Sequence, residues 1–346
     1  MSAITGSTAS GSAAGVDGVE AIMRQGGPRL RERMARTELH LERVTACAGE
    51  PLARHASATI TAGGKRLRPL LVLLAAESAG GPPRTIRGEE CLVRAAVAVE
   101  LVHSATLVHD DIIDGARLRR GRPTVAAAAG REVAVATGDL LFSLAFAQLA
   151  RNGSARQLRA LSDASSALAA GEMLQREGAY ATSVAVERYL RRCELKTAAL
   201  FEAACRLGAL VAVDGTDALA DELGAFARRI GLAFQMLDDV LDVSGPVERT
   251  GKARGTDLLE GTVTLPFILA CERERELAGF QLRSLAGPRQ AEALCERIAA
   301  TGALDEARER ALAVVAEAKS ALPDTLPDGR SLLLDLVADA VVERYR

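Results

Sequence analysis

The stretch LVHDDIIDGARLRRGRPT, residues 107–124, sets three aspartates against a dense run of arginines. A second stretch, FQMLDDVLD at 234–242, repeats the carboxylate spacing. On a helix, residues four apart share a face, so Asp110 pairs with Asp114 and Asp238 with Asp242. Such carboxylates lie about 6 Å apart and repel by roughly 3 kcal/mol at an effective dielectric of about 20. Each cluster ends an apolar run, so both point from a core toward a cavity or the surface. If the two helices face each other, Asp110, Asp111, Asp114, Asp238, Asp239 and Asp242 converge. That convergence needs cations, and hard divalent ions with oxygen ligands, Mg²⁺ above all, suit it. Two solvated acidic helix ends would not explain two copies of one spacing, one of them followed by RLRRGRPT. A calcium loop is excluded, because the D-x-D-x-D alternation and its central Gly are missing.

Working outward, apolar residues recur at three and four positions, as in LVRAAVAVELVHSATLVH (92–109), and β-branched alternation is scarce. That pattern reads as helix nearly everywhere. Breaks fall at Gly63-Gly64, 80–88, 120–124, 151–155, 244–266 and 322–329. The stretch 133–150 is apolar on more than one face, which places it in the middle of a bundle. The expected fold is all-α, a single-domain helical bundle over residues 21–346. Residues 1–20, small and polar, read as a disordered lead-in rather than a secretion signal. No apolar run is read as long enough to span a membrane. A net charge of −2 gives no basic field for nucleic acid. The six cysteines form no CxxC pair and read as buried free thiols, which points to the cytoplasm.

Of 43 basic residues only Lys65, Lys196, Lys252 and Lys319 are lysine. Lys65 lies in the glycine-hinged turn GGKRLRP, Lys196 in ELKTAAL, and Lys252 in the loop GKARGTD. A compact ammonium suits a crowded diphosphate, and Mg²⁺ completes its shell with water and substrate phosphate.

With these residues in place, the sequence resembles the trans-isoprenyl diphosphate synthase (polyprenyl synthetase) family over about residues 60–270. GGKRLRP, LVHDDIIDGARLRRGRPT, GEMLQ (171–175), KTAAL (196–200), GLAFQMLDDVLD (231–242) and GKARGTDLLEGTVTLP (251–266) occur in the family's order. The resemblance implies an all-α bundle around a deep central cavity, as a homodimer. It implies that Asp110, Asp114 and Asp238 ligate three Mg²⁺ that clamp an allylic diphosphate, with Asp111, Asp239 and Asp242 in support. Arg119, Lys196 and Lys252 would bind that diphosphate. Lys65, Arg68, His103 and Arg120 would bind isopentenyl diphosphate. Thr197 and Gln235 would line the place where the allylic cation forms. The departed diphosphate takes the proton, so no protein base is needed, and His109 reads as a structural neighbour of the cluster. One departure stands out: Thr262 occupies a position where the family often has lysine.

One helical turn before Asp110 stand Ala105 and Thr106, both small. Where short-product members carry a bulky aromatic floor, these leave room, so the expected product is longer than farnesyl diphosphate: geranylgeranyl or a longer polyprenyl chain. Val102, Leu101 or residues of a neighbouring helix such as Phe142 or Phe146 would close the tunnel deeper down. A terpene synthase is the weaker reading, because it replaces the second DDxxD and steers cations with aromatic walls, and aromatics here are 3 %. A non-catalytic regulatory subunit would be expected to lose aspartates or lysines, and only Thr262 favours it.

Overall fold

The computed structural model describes residues 13–245, 254–323, 326 and 331–343. The helices are α1 (Ala13–Gln25), α2 (Gly27–Ala46), α3 (Leu52–Thr61), α4 (Leu67–Ser78), α5 (Ile86–Ile113), α6 (Val125–Ala129), α7 (Arg131–Ala150), α8 (Ala155–Glu177) and α9 (Val186–Cys193). A π-helical turn, Glu194–Ala198, leads into α10 (Ala199–Val211) and α11 (Asp217–Ser244). Then come α12 (Thr256–Leu259), α13 (Leu265–Arg273), α14 (Arg275–Ala278), α15 (Pro288–Ala300), α16 (Ala303–Ser320) and α17 (Leu332–Glu343). The one sheet among the described residues is the hairpin of β1 (Leu118–Arg119) and β2 (Arg122–Pro123), in the register Leu118↔Pro123. The all-α expectation holds. Helix α1 begins at Ala13, inside the stretch expected to be a disordered lead-in.

The two helices that end in aspartate clusters are matched. Each has 28 residues, and each starts on a threonine whose hydroxyl accepts from the backbone: Thr85 from Gly88 N at 3.0 Å and Thr216 from Leu219 N at 3.1 Å. At 1.5 Å per residue they run about 42 Å, long enough to cross a domain of this size. Helix α10 packs between α4 and α11, α5 packs along α7, and α16 covers α11. The centre is α4, where every residue from Leu70 to Ala76 is fully buried.

The π-helical turn carries Lys196 and Thr197, and two glycines let its neighbours approach it. A Cβ on Gly171 of α8 would lie 2.6 Å from Lys196 N, and one on Gly231 of α11 2.8 Å from Ala198 Cα. A π bulge displaces the following side chains, and such bulges are frequent at functional sites.

Three expectations are corrected. Helices α5 and α7 are each long and apolar enough to cross a membrane by length and composition. A charged residue or two in a run of Ala, Val and Leu leaves the average apolar. The most apolar window of α5 is 72 % buried inside the bundle, but that of α7 is only 39 % buried. So α7 is not a central helix; it lies at the edge, with Val135 exposed and Phe142 and Phe146 half-buried. All six cysteines are unpaired, yet only Cys193, Cys205 and Cys295 are buried, and Cys47 is exposed.

Adding a methyl at either contact glycine forces backbone apart. Gly171→Ala and Gly231→Ala should each destabilise the fold by about 1–3 kcal/mol, seen as a lowered apparent melting temperature. Gly49→Ala, where an added Cβ meets nothing within 4 Å, should leave it unchanged. Equal melts for all three would show that the π-helical turn is not held by close packing.

Candidate active site

The C-terminal ends of α5 and α11 face one cavity of about 300 Å³. Along α5, His103, Thr106, Leu107, Asp110 and Asp114 line it at the three- and four-residue spacing of one helical face. Asp238 and Asp239 line it from α11, and Lys196 and Thr197 from the π-helical turn.

The carboxylates divide by environment. Asp110 is pushed up to about 6, first by burial and then by the charges of Glu172 and Asp114, against the pull of Lys196. Asp111 is 5 % exposed, accepts from Arg119 Nε at 2.8 Å, and does not line the cavity. In this structure it holds Arg119. Asp239 is 2 % exposed and accepts from Tyr189 Oη and from Gln235 Nε2, each at 2.8 Å. Burial, then Asp257, pushes its carboxyl up. Gln235 Oε1 in turn accepts from Thr197 Oγ1 at 2.7 Å. Asp242 also lies away from the cavity lining; its main-chain oxygen takes Gly255 N at 3.0 Å and its side chain takes Asp257 N at 3.3 Å. It anchors the segment that brings Asp257 and Glu260 to the cavity.

These residues fit divalent cations. Among the described residues no three acidic, His or Cys side chains converge on one point. The carboxylates stand instead on facing walls, and Mg²⁺ takes one or two carboxylates and fills its shell with water and phosphate. Both clusters also sit at helix C-termini, where the dipole is unfavourable to negative charge. Asp110, raised by its surroundings, is a half-buried carboxyl whose charge a cation would stabilise.

The basic side is assembled by two strained turns. Arg66 caps α4 at φ +48°, and its guanidinium donates to Glu38, Glu100 and Ile60 O, each at 2.7 Å. Arg120 and Gly121 form the hairpin loop at φ +51° and +74°, the left-handed pair that a tight two-residue hairpin requires. The Arg120 guanidinium packs on Gly64, 3.2 Å from where a Cβ would stand. Thus the GGKRLRP turn and the RRGRP hairpin meet. Arg68 lines the cavity, with its guanidinium 4.9 Å from the Phe201 ring centroid and pushed down to about 10 by burial. His103 is held well below its ordinary value by burial, then by Arg68, Arg120, Arg119 and Arg66, so its imidazole is neutral. Lys65 is exposed on the turn, and Lys252 lies outside the described residues.

Beside Asp110 a second, apolar cavity of about 320 Å³ shares Thr106, Asp110, Leu168 and Lys196 with the first. Ile113, Phe142 and Met173 also line it. Of the two small residues expected to face the tunnel, Thr106 does. Ala105 is fully buried and lines neither cavity. His109 stacks near Phe142, at 5.9 Å between ring centroids, and lines only the apolar cavity. Sequence reasoning gave no role to Glu172, Gln175, Arg176, Arg192, Asp257 or Glu260. The signal was present in GEMLQR, where Glu172, Gln175 and Arg176 share a face at i, i+3 and i+4.

Residues 50–300 match the polyprenyl synthetase family. The chain is 41 % identical over 249 residues to heptaprenyl diphosphate synthase component 2 of Geobacillus stearothermophilus, covering 71 % of this chain and 75 % of that one. It is 39 % identical over 292 residues to geranylgeranyl diphosphate synthase of Methanosarcina mazei, covering 82 % and 87 %. Its fold superposes on the polyprenyl synthase of Caulobacter crescentus, crystallised with calcium and isoprenyl diphosphate, with a TM-score of 0.86 and 34 % identity over 95 % of this chain and 98 % of that one. Facing aspartate clusters beside an apolar cavity, on a chain so matched, leave one assignment: this chain belongs to the polyprenyl synthetase family.

Proposed function

We propose that the chain is a trans-prenyltransferase that condenses isopentenyl diphosphate head-to-tail with an allylic diphosphate, giving geranylgeranyl diphosphate or a longer polyprenyl diphosphate. The observation that carries this reading is the junction of two unlike cavities: one acidic and cation-lined, the other apolar, meeting at Asp110 and Thr106. A diphosphate held in the first can lay its hydrocarbon tail along the apolar side chains of the second.

When bound, Mg²⁺ stabilises the negative charge that grows on the leaving diphosphate. Asp110, Asp114 and Asp238 would hold it, with three ions as the count the family resemblance suggests. Lys196 and Arg119 bind the same diphosphate, as would Lys252. Thr197 and Gln235 present fixed oxygens to the developing allylic cation, because Asp239 and Tyr189 hold Gln235 in one orientation. Lys65, Arg68 and Arg120 neutralise isopentenyl diphosphate, and neutral His103 contributes hydrogen bonding without further charge. The departing diphosphate takes the proton, so the chemistry asks for no protein base.

Helix α7 supports a homodimer, because it lies at the edge of the single chain with Val135 exposed and Leu140, Phe142 and Phe146 only partly buried. A second occupant of that face is a different chain, since one relative is named as component 2 of its synthase. The isolated protein would be incubated with Mg²⁺, isopentenyl diphosphate and geranyl or farnesyl diphosphate, and the products sized by mass spectrometry. The expected result is a ladder ending beyond farnesyl. No product from folded, metal-loaded protein would shift the assignment to a subunit that needs another chain.

In the same assay Asp110→Ala and Asp238→Ala should each lower turnover by at least about 10²-fold with the melt unchanged. Chelation by EDTA should abolish product. Near-normal turnover in either variant would remove the metal assignment. Thr106→Phe should shorten the product, whereas Ala105→Phe, in packed core, should destabilise the fold instead. An unchanged product in Thr106→Phe would place the floor beyond Phe142.

A further inference from the structure

Six side chains form one line of polar contacts across the mouth of the cavity. Arg176, in the last turn of α8, donates from Nη2 to Asp114 Oδ1 and from Nε to Glu172 Oε1, the latter at 2.8 Å. The other Glu172 oxygen takes Lys196 Nζ. Lys196 also donates to Gln175 Oε1 at 3.2 Å, and Gln175 Nε2 donates to Thr262 Oγ1 at 3.4 Å. Glu172 therefore holds two cations at once, and one of them bridges to a carboxylate assigned above to metal.

A basic residue in the last turn of a helix usually serves the helix dipole from solvent. Arg176 does something else: it reaches from α8 to the end of α5. An Asp114 oxygen that accepts from a guanidinium is a poorer ligand for a divalent ion, and an arriving ion would place like charge beside Arg176. The two cations compete for one carboxylate. A diphosphate changes the balance, because it offers the expelled guanidinium a bidentate anionic partner.

We propose that Arg176 is a displaceable counter-ion that neutralises Asp114 in the metal-free protein and couples metal entry to diphosphate binding. It is a positioning residue, and the proposal rests on the metal reading given above. While Arg176 occupies Asp114, metal alone binds weakly. With diphosphate present, metal and Arg176 both find partners, and each ligand strengthens the other by the same factor.

The test is Mn²⁺ binding to the full chain, followed by electron paramagnetic resonance, with and without an unreactive thio-analogue of geranyl diphosphate. Arg176→Gln should bind Mn²⁺ alone about fivefold more tightly than wild type, the scale of a partly exposed ion pair. The gain in Mn²⁺ affinity on adding the analogue should shrink by a similar factor. Arg176→Lys, which keeps the charge, should behave as wild type. Thermal melts give a second readout: Arg176→Gln should melt lower than wild type in EDTA, with the gap closing at saturating Mn²⁺. Equal or weaker Mn²⁺ binding by Arg176→Gln, or a gap that persists with metal, would overturn the proposal and leave Arg176 as a structural ion pair. If wild type binds no Mn²⁺ even with the analogue, the metal reading fails and this proposal falls with it.

Discussion

Negative charge at the ends of two long helices is the constraint around which the molecule is arranged. Helices α5 and α11 have the same length, are capped alike, and end with carboxylates at the unfavourable pole of their own dipoles. The surroundings settle part of this charge locally. Asp111 is taken by Arg119, Asp239 by Tyr189 and Gln235, and Asp114 by Arg176. In each cluster the second aspartate is thus held by neighbouring side chains, which it orients in turn. On the cavity face stand Asp110, Asp238 and Asp239, with Asp114 shared with Arg176.

Holding such charges demands rigid walls, and the walls come from small residues. Alanine and glycine let helix axes approach closely, so side chains at the cavity have little freedom to drift. Gly208 shows the principle away from the site: a Cβ there would lie 2.1 Å from Val72 O, so α10 rides directly on the buried α4. Gly171 and Gly231 do the same on either side of the π-helical turn. The turn presents Lys196 and Thr197 to the cavity, and its irregular backbone is supported from both sides. The strained turns at Arg66 and Arg120 follow the same logic. Each adopts a left-handed backbone at a non-glycine residue, and ion pairs or close packing hold it there.

The helical period made the fold and the aspartate faces readable from the sequence, and it sorts the residues within each cluster. Asp110 and Asp114 are four apart and share a face, whereas Asp111 is about 100° away on the helix and could not line the same wall. The same arithmetic favours Thr106, four before Asp110, over Ala105, five before it. Tertiary partners were not legible. Glu172 and Arg176 on an arginine-rich helix resemble a solvated face, and only the approach of α5 and the π-helical turn gives them partners. Asp257 and Glu260 lie after the second cluster, at positions no helical period ties to it. The placement of α7 failed for a different reason. Apolarity on several faces signals burial, but not whether the burying surface belongs to the same chain.

That last point links assembly to product size. Met173 and Ile113 line the apolar cavity, yet they are 60 % and 46 % exposed in the single chain. A hydrocarbon chain growing past Thr106 would meet water along this side, and each methylene left wet forgoes about 0.8 kcal/mol of burial. A cover over the edge formed by α7 and α8 would recover that free energy for every unit added. The proposed dimer face and the proposed elongation path share Phe142, which sits on α7 and lines the cavity. Under the proposed prenyl transfer, chain length would be set by two surfaces together: the small residue at position 106, which opens the path, and whatever closes its outer wall.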